Sequence, residues 1–387
     1  MMEETMHTYL IEPLAPLIVR SGRPFDDQAG ADSARFPPPS TLAGALRTAH
    51  AESAGKAFTP ALAEIAVAGP LPVKLGENGK AVSLLVPKPA DALYFKDAAG
   101  GGSRLVRALP QQMSAGEGCD LPNGLLPVQL CEAVQGKPAS GPRWWSLDDL
   151  LAFRNLGLPP PGLDEITRRG WSPPEDEIRT HVAIDHATRA AEASKLFQTA
   201  GLSFSDRLDA GKIFPSSRIA MIGCVAGTVG TGVVTLGGER RLSAITNAPS
   251  GIWPAPPANL PAQISAAGGF SLTLLTPALF AEGWRPVWLG TDLQGTPPGC
   301  DGLRVKLRAA ALERWQAHSG WDLASQHPRA GRKLIPAGAV YWFDIVEATE
   351  PALARLWFAA ISDHKQDILD GFGLALPQPW QPVQTKN

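Results

Sequence analysis

Residues 36–47 read FPPPSTLAGALR, and this stretch sets the architecture of the first half of the chain. Proline cannot continue a helix that precedes it, and serine or threonine can cap the free N–H groups of the helix that follows. We therefore predict that Ser40 or Thr41 caps a helix of about four turns, because apolar residues then repeat at helical spacing. Residues 7–20 predict a strand before it, with a polar loop in between. Strand, long loop and helix is a common opening of a ferredoxin-like βαββαβ module.

The composition limits the class of protein. The chain has 387 residues, of which 44% are hydrophobic and 19% charged, and this composition predicts folded cores rather than disorder. Domains usually span about 100–200 residues, so we expect two of them. The formal net charge is −2, whereas a free-standing duplex-binding protein is usually strongly basic. Any contact with nucleic acid must therefore come from local clusters of arginine and lysine.

Signals for export, membranes and metals are weak. The first residues are acidic, and no apolar run approaches the roughly 20 residues that span a bilayer. The four cysteines form no CxxC pair, and no histidine lies beside them at ligand spacing. We expect a cytoplasmic protein that crosses no membrane and holds neither a metal ion nor a cofactor.

The rest of the chain also mixes strands and helices. A helix is predicted over residues 351–365, followed by the turn Gly371-Phe372-Gly373 with Phe372 in the core and then by a short strand. Residues 98–143 are rich in glycine, proline and serine, and we interpret them as a long inserted loop. We place a boundary near residue 215, which gives α+β modules over 1–215 and 216–387. Apolar runs predict further strands at 82–86, 93–95, 177–185, 196–204, 219–225, 232–236, 270–275 and 339–346, a short helix at 145–156 capped by Ser146, and a mixture of strand and helix at 305–315.

Five segments combine basic residues with features that suit phosphate. A helix N terminus presents unpaired N–H groups and a partial positive charge, glycines admit close backbone approach, and arginine adds bidentate contacts. Each segment also suits a structural role, as a capped helix, an edge strand or a turn with solvated charges. The candidate RNA-binding residues are Arg20, Arg23, Ser40, Thr41 and Arg47 around the first helix, Arg179, Thr188 and Lys195 in the middle, Gly237, Gly238, Arg240 and Arg241 in a glycine turn, Arg332 and Lys333 in a basic loop, and Gly371 and Gly373 in the closing turn.

Enzyme motifs are missing from the sequence. There is no nucleophile elbow, no HExxH, no Walker loop and no paired-carboxylate signature. His50, at the end of the first helix, is the only histidine near the arginine cluster, and a helix C-terminal cap is its more common role. We therefore predict a protein without catalytic activity.

The identity and order of these segments resemble the third subunit of the Cmr complex, the type III-B CRISPR interference complex of the RAMP superfamily. The resemblance implies two tandem ferredoxin-like (RRM-like) domains that hold the repeat-derived 5′ tag of the CRISPR RNA. It implies as partners the CRISPR RNA, the large polymerase-like Cmr subunit and the backbone-forming RAMP subunit, with target RNA contacted indirectly. The residues that carry it lie at 13–25, 36–47, 181–185, 188, 196–197, 236–240, 335–338 and 371–373.

Two other functions stay open on the sequence. One is a metal-independent endoribonuclease of the same superfamily that processes CRISPR RNA with His50 as acid or base. The other is a pure protein–protein adaptor that docks through residues 98–143. Because the free chain is near neutral, an RNA-holding subunit should bind little RNA alone. It should bind RNA well once partner subunits complete the groove.

Overall fold

The computed structural model describes residues 5–19, 34–76, 78–97, 102–114, 116–155, 157–205, 218–322 and 327–383. No helix in these ranges is long and apolar enough to cross a membrane. The helices are α1 Pro39–Ser53, α2 Leu147–Arg154, α3 Leu163–Arg169, α4 Leu260–Ala267, α5 Glu350–Ala354 and α6 Lys365–Asp370, with 3-10 turns at Pro60–Glu64 and Gly238–Arg240. The strands are β1 Met6–Pro13, β2 Val67–Leu75, β3 Ala81–Pro87, β4 Ala92–Lys96, β5 Ser103–Pro110, β6 Val128–Leu130, β7 Trp144–Ser146, β8 Glu177–Ile184, β9 Ala191–Gly201, β10 Arg218–Ala226, β11 Gly232–Thr235, β12 Leu242–Asn247, β13 Gly269–Leu274, β14 Gln294–Gly295, β15 Leu303–Ala311, β16 Gln316–His318, β17 Trp321–Asp322, β18 His327–Pro328, β19 Arg332–Leu334, β20 Val340–Ala348, β21 Ala359–Ala360 and β22 Leu374–Pro379.

The chain forms two compact units whose segments alternate along the sequence. The first unit comprises Met1–Val82, Pro173–Pro249 and Ala317–Arg332, and the second comprises Ser83–Ser172, Ser250–Gln316 and Lys333–Asn387. This division differs from the predicted modules 1–215 and 216–387. The physical reason is sheet pairing, because β10 lies beyond residue 215 and is hydrogen-bonded to β1 near the start of the chain.

Five strands of the first unit form an antiparallel sheet in the order β11-β12-β1-β10-β2. Leu10 of β1 lies opposite Ile222 on one side and Thr246 on the other. Strands β12, β1, β10 and β2 have the spatial order of the fourth, first, third and second strands of a βαββαβ module. Its first helix corresponds to α1. In place of its second helix, β10 and β12 are joined by β11 and a 3-10 turn.

The predicted first helix is confirmed as α1, which begins at Pro39 and packs through buried Leu42 and Leu46. A side chain at Gly223 would place its Cβ 2.5 Å from Leu42, so this glycine makes room for the helix on the sheet. The predicted cap is wrong. Pro38 occupies the capping position without a side-chain hydrogen bond, and Ser40 lies inside the first turn.

The second unit contains a six-stranded antiparallel sheet in the order β14-β15-β20-β13-β22-β21. Strands β15, β20, β13 and β22 repeat the spatial order seen in the first unit. They correspond to the second, third, first and fourth strands of a βαββαβ module. One face of the sheet packs against α4 and α5 around buried Phe270, Leu272, Tyr341 and Phe343. Residues 305–311 are strand throughout, so the predicted helical part of 305–315 is wrong.

The predicted helix over 351–365 is also wrong. Helix α5 ends at Ala354, and Phe358 adopts φ +55°, which a helix cannot include. The next two residues then pair with Leu374 and Ala375 as strand β21. The apolar spacing of this segment is real, but its residues are buried by a turn and an edge strand instead of by one continuous helix.

The segment 98–143 is only partly the loop that its composition predicts. Strand β5 pairs with β4 on one side and with β6 on the other. Tyr94 and Leu105 of β4 and β5 pack into a core with Trp145 and Phe153. Helix α2 beside them begins as predicted, because the Ser146 hydroxyl accepts a hydrogen bond from the Asp149 N–H at 3.1 Å.

Candidate nucleic-acid interface

The glycine turn between β11 and β12 is built by a close approach of two backbones. The N–H of Gly238 donates to the carbonyl oxygen of Ile18 at 2.7 Å. Gly237 has φ +76°, and a Cβ there would lie 2.8 Å from the same oxygen. Only glycine fits this position without strain. The turn is therefore fixed beside the end of the described segment 5–19.

This turn directs two arginines differently. Glu239 and Arg240 both lie in the left-handed region, at φ 55° and 51°, which is unusual for residues with side chains. The Arg241 guanidinium is mostly buried and contacts the Glu239 carboxylate at 3.1 Å. Arg240 is exposed, and within the described chain no carboxylate pairs with it. Arg240 is therefore available for an external anion, whereas Arg241 supports the turn.

The predicted residues Arg20 and Arg23 lie outside the described residues.

The start of helix α1 offers fewer free donors than an ordinary helix N terminus. Pro38 and Pro39 have no N–H, and the Thr41 N–H bonds to the Pro38 carbonyl at 2.9 Å. Of the first four positions, this leaves the N–H of Ser40 without a partner among the described residues, and so open to a ligand. Ser40 and Thr41 are both partly exposed. The predicted phosphate site at this helix start is therefore reduced to one backbone donor and two hydroxyl groups.

Arg47 is buried, although the sequence marks it as a phosphate contact. Its side chain is 8% exposed, and its Nε and Nη2 donate to the Ile65 carbonyl at 2.9 and 2.8 Å. This bidentate contact ties helix α1 to the chain that leads into β2. The geometry gives Arg47 a structural role, which argues against the predicted RNA contact.

His50 at the end of α1 holds the loop between β10 and β11. Its Nδ1 lies 2.7 Å from the Thr228 carbonyl oxygen, so this nitrogen carries the proton and donates. The Ser53 hydroxyl accepts from the Gly230 N–H at 2.7 Å, and the Tyr9 hydroxyl accepts from the Val229 N–H at 2.7 Å. These three side chains fix the loop against helix α1 and strand β1.

Strands β8 and β9 form an isolated two-stranded ribbon that contains three candidate residues. Two of its predicted cations have acidic partners on the same strand: Arg179 contacts Glu177 and Lys195 contacts Glu192. Thr188 lies in the tip, where its N–H donates to the Asp185 carboxylate at 3.3 Å. These ion pairs weaken the positive potential that the sequence predicts here.

The ribbon also has an exposed apolar and aromatic surface that the sequence does not predict. Alternation along paired strands places Ile178, Val182 and Leu196 on one face, and these are 59%, 42% and 69% exposed. On the opposite face the His181 ring stacks on Phe197, with centroids 5.1 Å apart. Composition could not find this surface, since apolar residues in strands usually indicate a core.

The last two candidate segments have opposite exposures. Arg332 and Lys333 are exposed, as predicted, but they lie on strand β19 and not in a loop. Gly371 and Gly373 are buried: their N–H groups donate to the carbonyls of Ile368 and Pro277 at 3.0 and 2.8 Å. Their own carbonyls accept hydrogen bonds from other protein groups, and Phe372 is 2% exposed in the core, as predicted. With both glycines saturated by internal bonds, the geometry argues against RNA contact at this turn.

Comparison with known proteins identifies one family. The family model described as CRISPR-associated protein (Cas_Cmr3) matches residues 9–380. No curated protein matches the chain. The chain is similar to a subunit in the cryo-EM structure of the Type III-B Cmr-beta bound to cognate target RNA and AMPPnP, with TM-score 0.46 and 15% identity over 87% of this chain and 86% of that one. A second cryo-EM structure, of the Type III-B Cmr-beta bound to cognate target RNA, gives TM-score 0.45 and 16% identity over the same shares.

Proposed function

Because the chain belongs to the Cmr3 family of CRISPR-associated proteins, we propose that it is a non-catalytic RNA-binding subunit of a type III-B CRISPR interference complex. The family match confirms the resemblance that the sequence motifs predict. In this function the chain holds the 5′ tag of the CRISPR RNA and docks the large polymerase-like subunit onto the backbone-forming RAMP subunit. Tandem ferredoxin-like architecture belongs to the same proposal, supported by the strand order that both sheets share.

The glycine turn beside Ile18 is the observation that carries the RNA contact. Its backbone is fixed by the hydrogen bond from Gly238 to Ile18, and the close approach there requires glycine at position 237. The turn exposes Arg240 to solvent, and no carboxylate of the described chain pairs with it. A fixed backbone reduces the entropy lost on binding. Arginine is the side chain best suited to phosphate oxygens. Arg240 is therefore the strongest phosphate contact among the described candidates.

The distribution of charge supports binding within an assembly. Arg179, Lys195 and Arg241 each have a nearby acidic partner, and the whole chain carries a net charge of −2. Such a surface attracts RNA weakly by itself. A groove completed by neighbouring subunits would bind the same RNA with a strong salt dependence.

The test is guide-RNA retention in the assembled complex with Arg240→Glu. We expect lower guide occupancy, and a slope of log affinity against log salt reduced by about 1, as for the loss of one phosphate contact. Arg304→Glu is the matched control, because Arg304 is an exposed arginine outside the five candidate RNA segments and outside residues 98–143. Full guide occupancy and an unchanged salt slope in Arg240→Glu would show that this placement is wrong.

The absence of catalysis is tested separately. Purified protein is incubated with repeat RNA in the presence of a chelator, together with a His50→Ala variant. We expect no discrete cleavage from either protein, because the Nδ1 of His50 donates its proton to the Thr228 carbonyl oxygen. This hydrogen bond gives the ring a structural role in holding the loop between β10 and β11. Discrete cleavage that disappears in His50→Ala would establish the endoribonuclease alternative instead.

A further inference from the structure

Trp315 and Lys333 form an exposed aromatic–cation pair at the base of the hairpin made by β16 and β19. Trp315 directly precedes β16 and is 46% exposed. The Lys333 ammonium lies 5.2 Å from the centroid of its ring. A lysine over an indole is attracted by the ring's quadrupole. The pair is therefore a defined arrangement in which an indole keeps much of its surface in water.

The charges around Trp315 favour an anionic ligand. Glu313, two residues before it, is directed at the Lys88 ammonium at 4.0 Å. Arg314 is exposed, and within the described ranges neither Arg314 nor Lys333 makes an ion pair. The ribbon cations differ, since acidic residues neutralise them locally. One unpaired cation thus lies against the exposed indole, and a second, Arg314, directly precedes it in the chain.

We propose that Trp315 is a stacking platform for an unpaired base of single-stranded RNA, with Lys333 and Arg314 contacting the phosphates on either side of that base. This inference rests on the proposed function and adds a contact that the basic loop alone did not indicate. Aromatic side chains in a positive groove bind single strands through base stacking, and every base offers a π face. Bases inside a duplex already stack on each other, so the site selects an unpaired nucleotide. A protein partner would be complementary to these two cations only if its contacting segment were acidic.

A photocrosslink tests the contact directly. The complex is assembled on guide RNA that carries 5-iodouridine at single positions along the tag, irradiated and digested with trypsin. Cleavage after Arg314 makes Trp315 the first residue of peptide 315–329, so fragmentation separates it from Trp321. We expect a crosslink at Trp315 for at least one tag position. Crosslinks elsewhere on this chain without one at Trp315 would overturn the inference and leave the proposed function standing. No crosslink to this chain at all would contradict both.

The rate of guide-RNA exchange supplies the second measurement. Loss of one stacked base by alanine substitution weakens binding by roughly five- to a hundredfold, so Trp315→Ala should release labelled guide faster by about tenfold. Trp315→Phe keeps an aromatic ring and should release guide RNA more slowly than Trp315→Ala. The release rate of Lys333→Gln should lie between those of Trp315→Phe and Trp315→Ala. Phe58→Ala is the control, because Phe58 is an exposed aromatic at 55% and no cation among the described residues lies over its ring. An unchanged exchange rate in Trp315→Ala, in a complex that assembles normally, would overturn the inference. Assembly that fails for Trp315→Ala even at saturating guide RNA would assign Trp315 to a protein contact and would also overturn the inference.

Discussion

Replacing Asp91 by alanine should strongly destabilise the second unit, because it leaves a buried guanidinium without its counter-charge. Arg154 is held by Asp91 through two hydrogen bonds, one of them at 3.0 Å, and by the Thr273 hydroxyl at 2.9 Å. The two charged side chains are 5% and 0% exposed. The pair joins the turn before β4, helix α2 and strand β13, which are far apart in the sequence.

The expected magnitude follows from the burial. Removing one partner of a buried ion pair costs about 3–5 kcal/mol, since the remaining charge cannot regain water. After Asp91→Ala, the one to Thr273 would be the only hydrogen bond left to the Arg154 guanidinium among the described residues. For a domain of this size, about 2–4 °C are lost per kcal/mol, which gives a fall in melting temperature of roughly 6–20 °C.

The assay is thermal unfolding followed by tryptophan fluorescence. All tryptophans except Trp321 belong to the second unit, so the signal reports on the unit that holds the ion pair. The control is the double variant Asp91→Leu with Arg154→Met, which removes both charges at similar volume and should lie near the wild type. An Asp91→Ala variant within about 1 kcal/mol of the wild type would refute the reasoning, since it would show that water reaches the guanidinium.

Two further predictions concern Arg47 and the turn that contains Thr188. Arg47→Met should lower the free energy of unfolding by about 1–3 kcal/mol, measured by urea titration, because the Ile65 carbonyl loses both of its donors; unchanged stability together with lost guide RNA would instead give Arg47 a direct RNA role. In the ribbon tip, hydrogen bonds from the backbone N–H groups of Ala187 and Thr188 hold the pKa of Asp185 below its usual range. The stabilisation of this turn is therefore present above the usual carboxyl pKa of about 3.9 and is lost as the pH falls through the lower, folded-state pKa. Protection of the Ala187 and Thr188 amides against hydrogen exchange should decline over that acidic range in the wild type and stay independent of pH in Asp185→Asn; equal behaviour of the two would contradict the assignment.

The candidate site shows how far residue types can be interpreted without their surroundings. The sequence marks Arg47 and Arg240 as equivalent phosphate contacts. The structure buries the first against Ile65 and exposes the second on a left-handed turn. Trp315 carries no sequence signal of function, because a single tryptophan is more often a core residue. Its exposure and its neighbour Lys333 become visible only when β16 and β19 are paired.

Local chemistry was enough to determine helix α1, the Ser146 cap of α2, most strands and the closing turn with Phe372 in the core. In each case the signal lies within a few neighbouring residues: prolines that cannot continue a helix, a hydroxyl at the capping position, alternation along a strand, or a glycine that admits a left-handed backbone. The tertiary structure alone decided which strands pair, why 351–365 breaks, and which arginines reach solvent. These outcomes depend on contacts such as that of β1 with β10, which join residues more than 200 positions apart. Periodicity shows that a residue is buried, but it does not identify the partner that buries it.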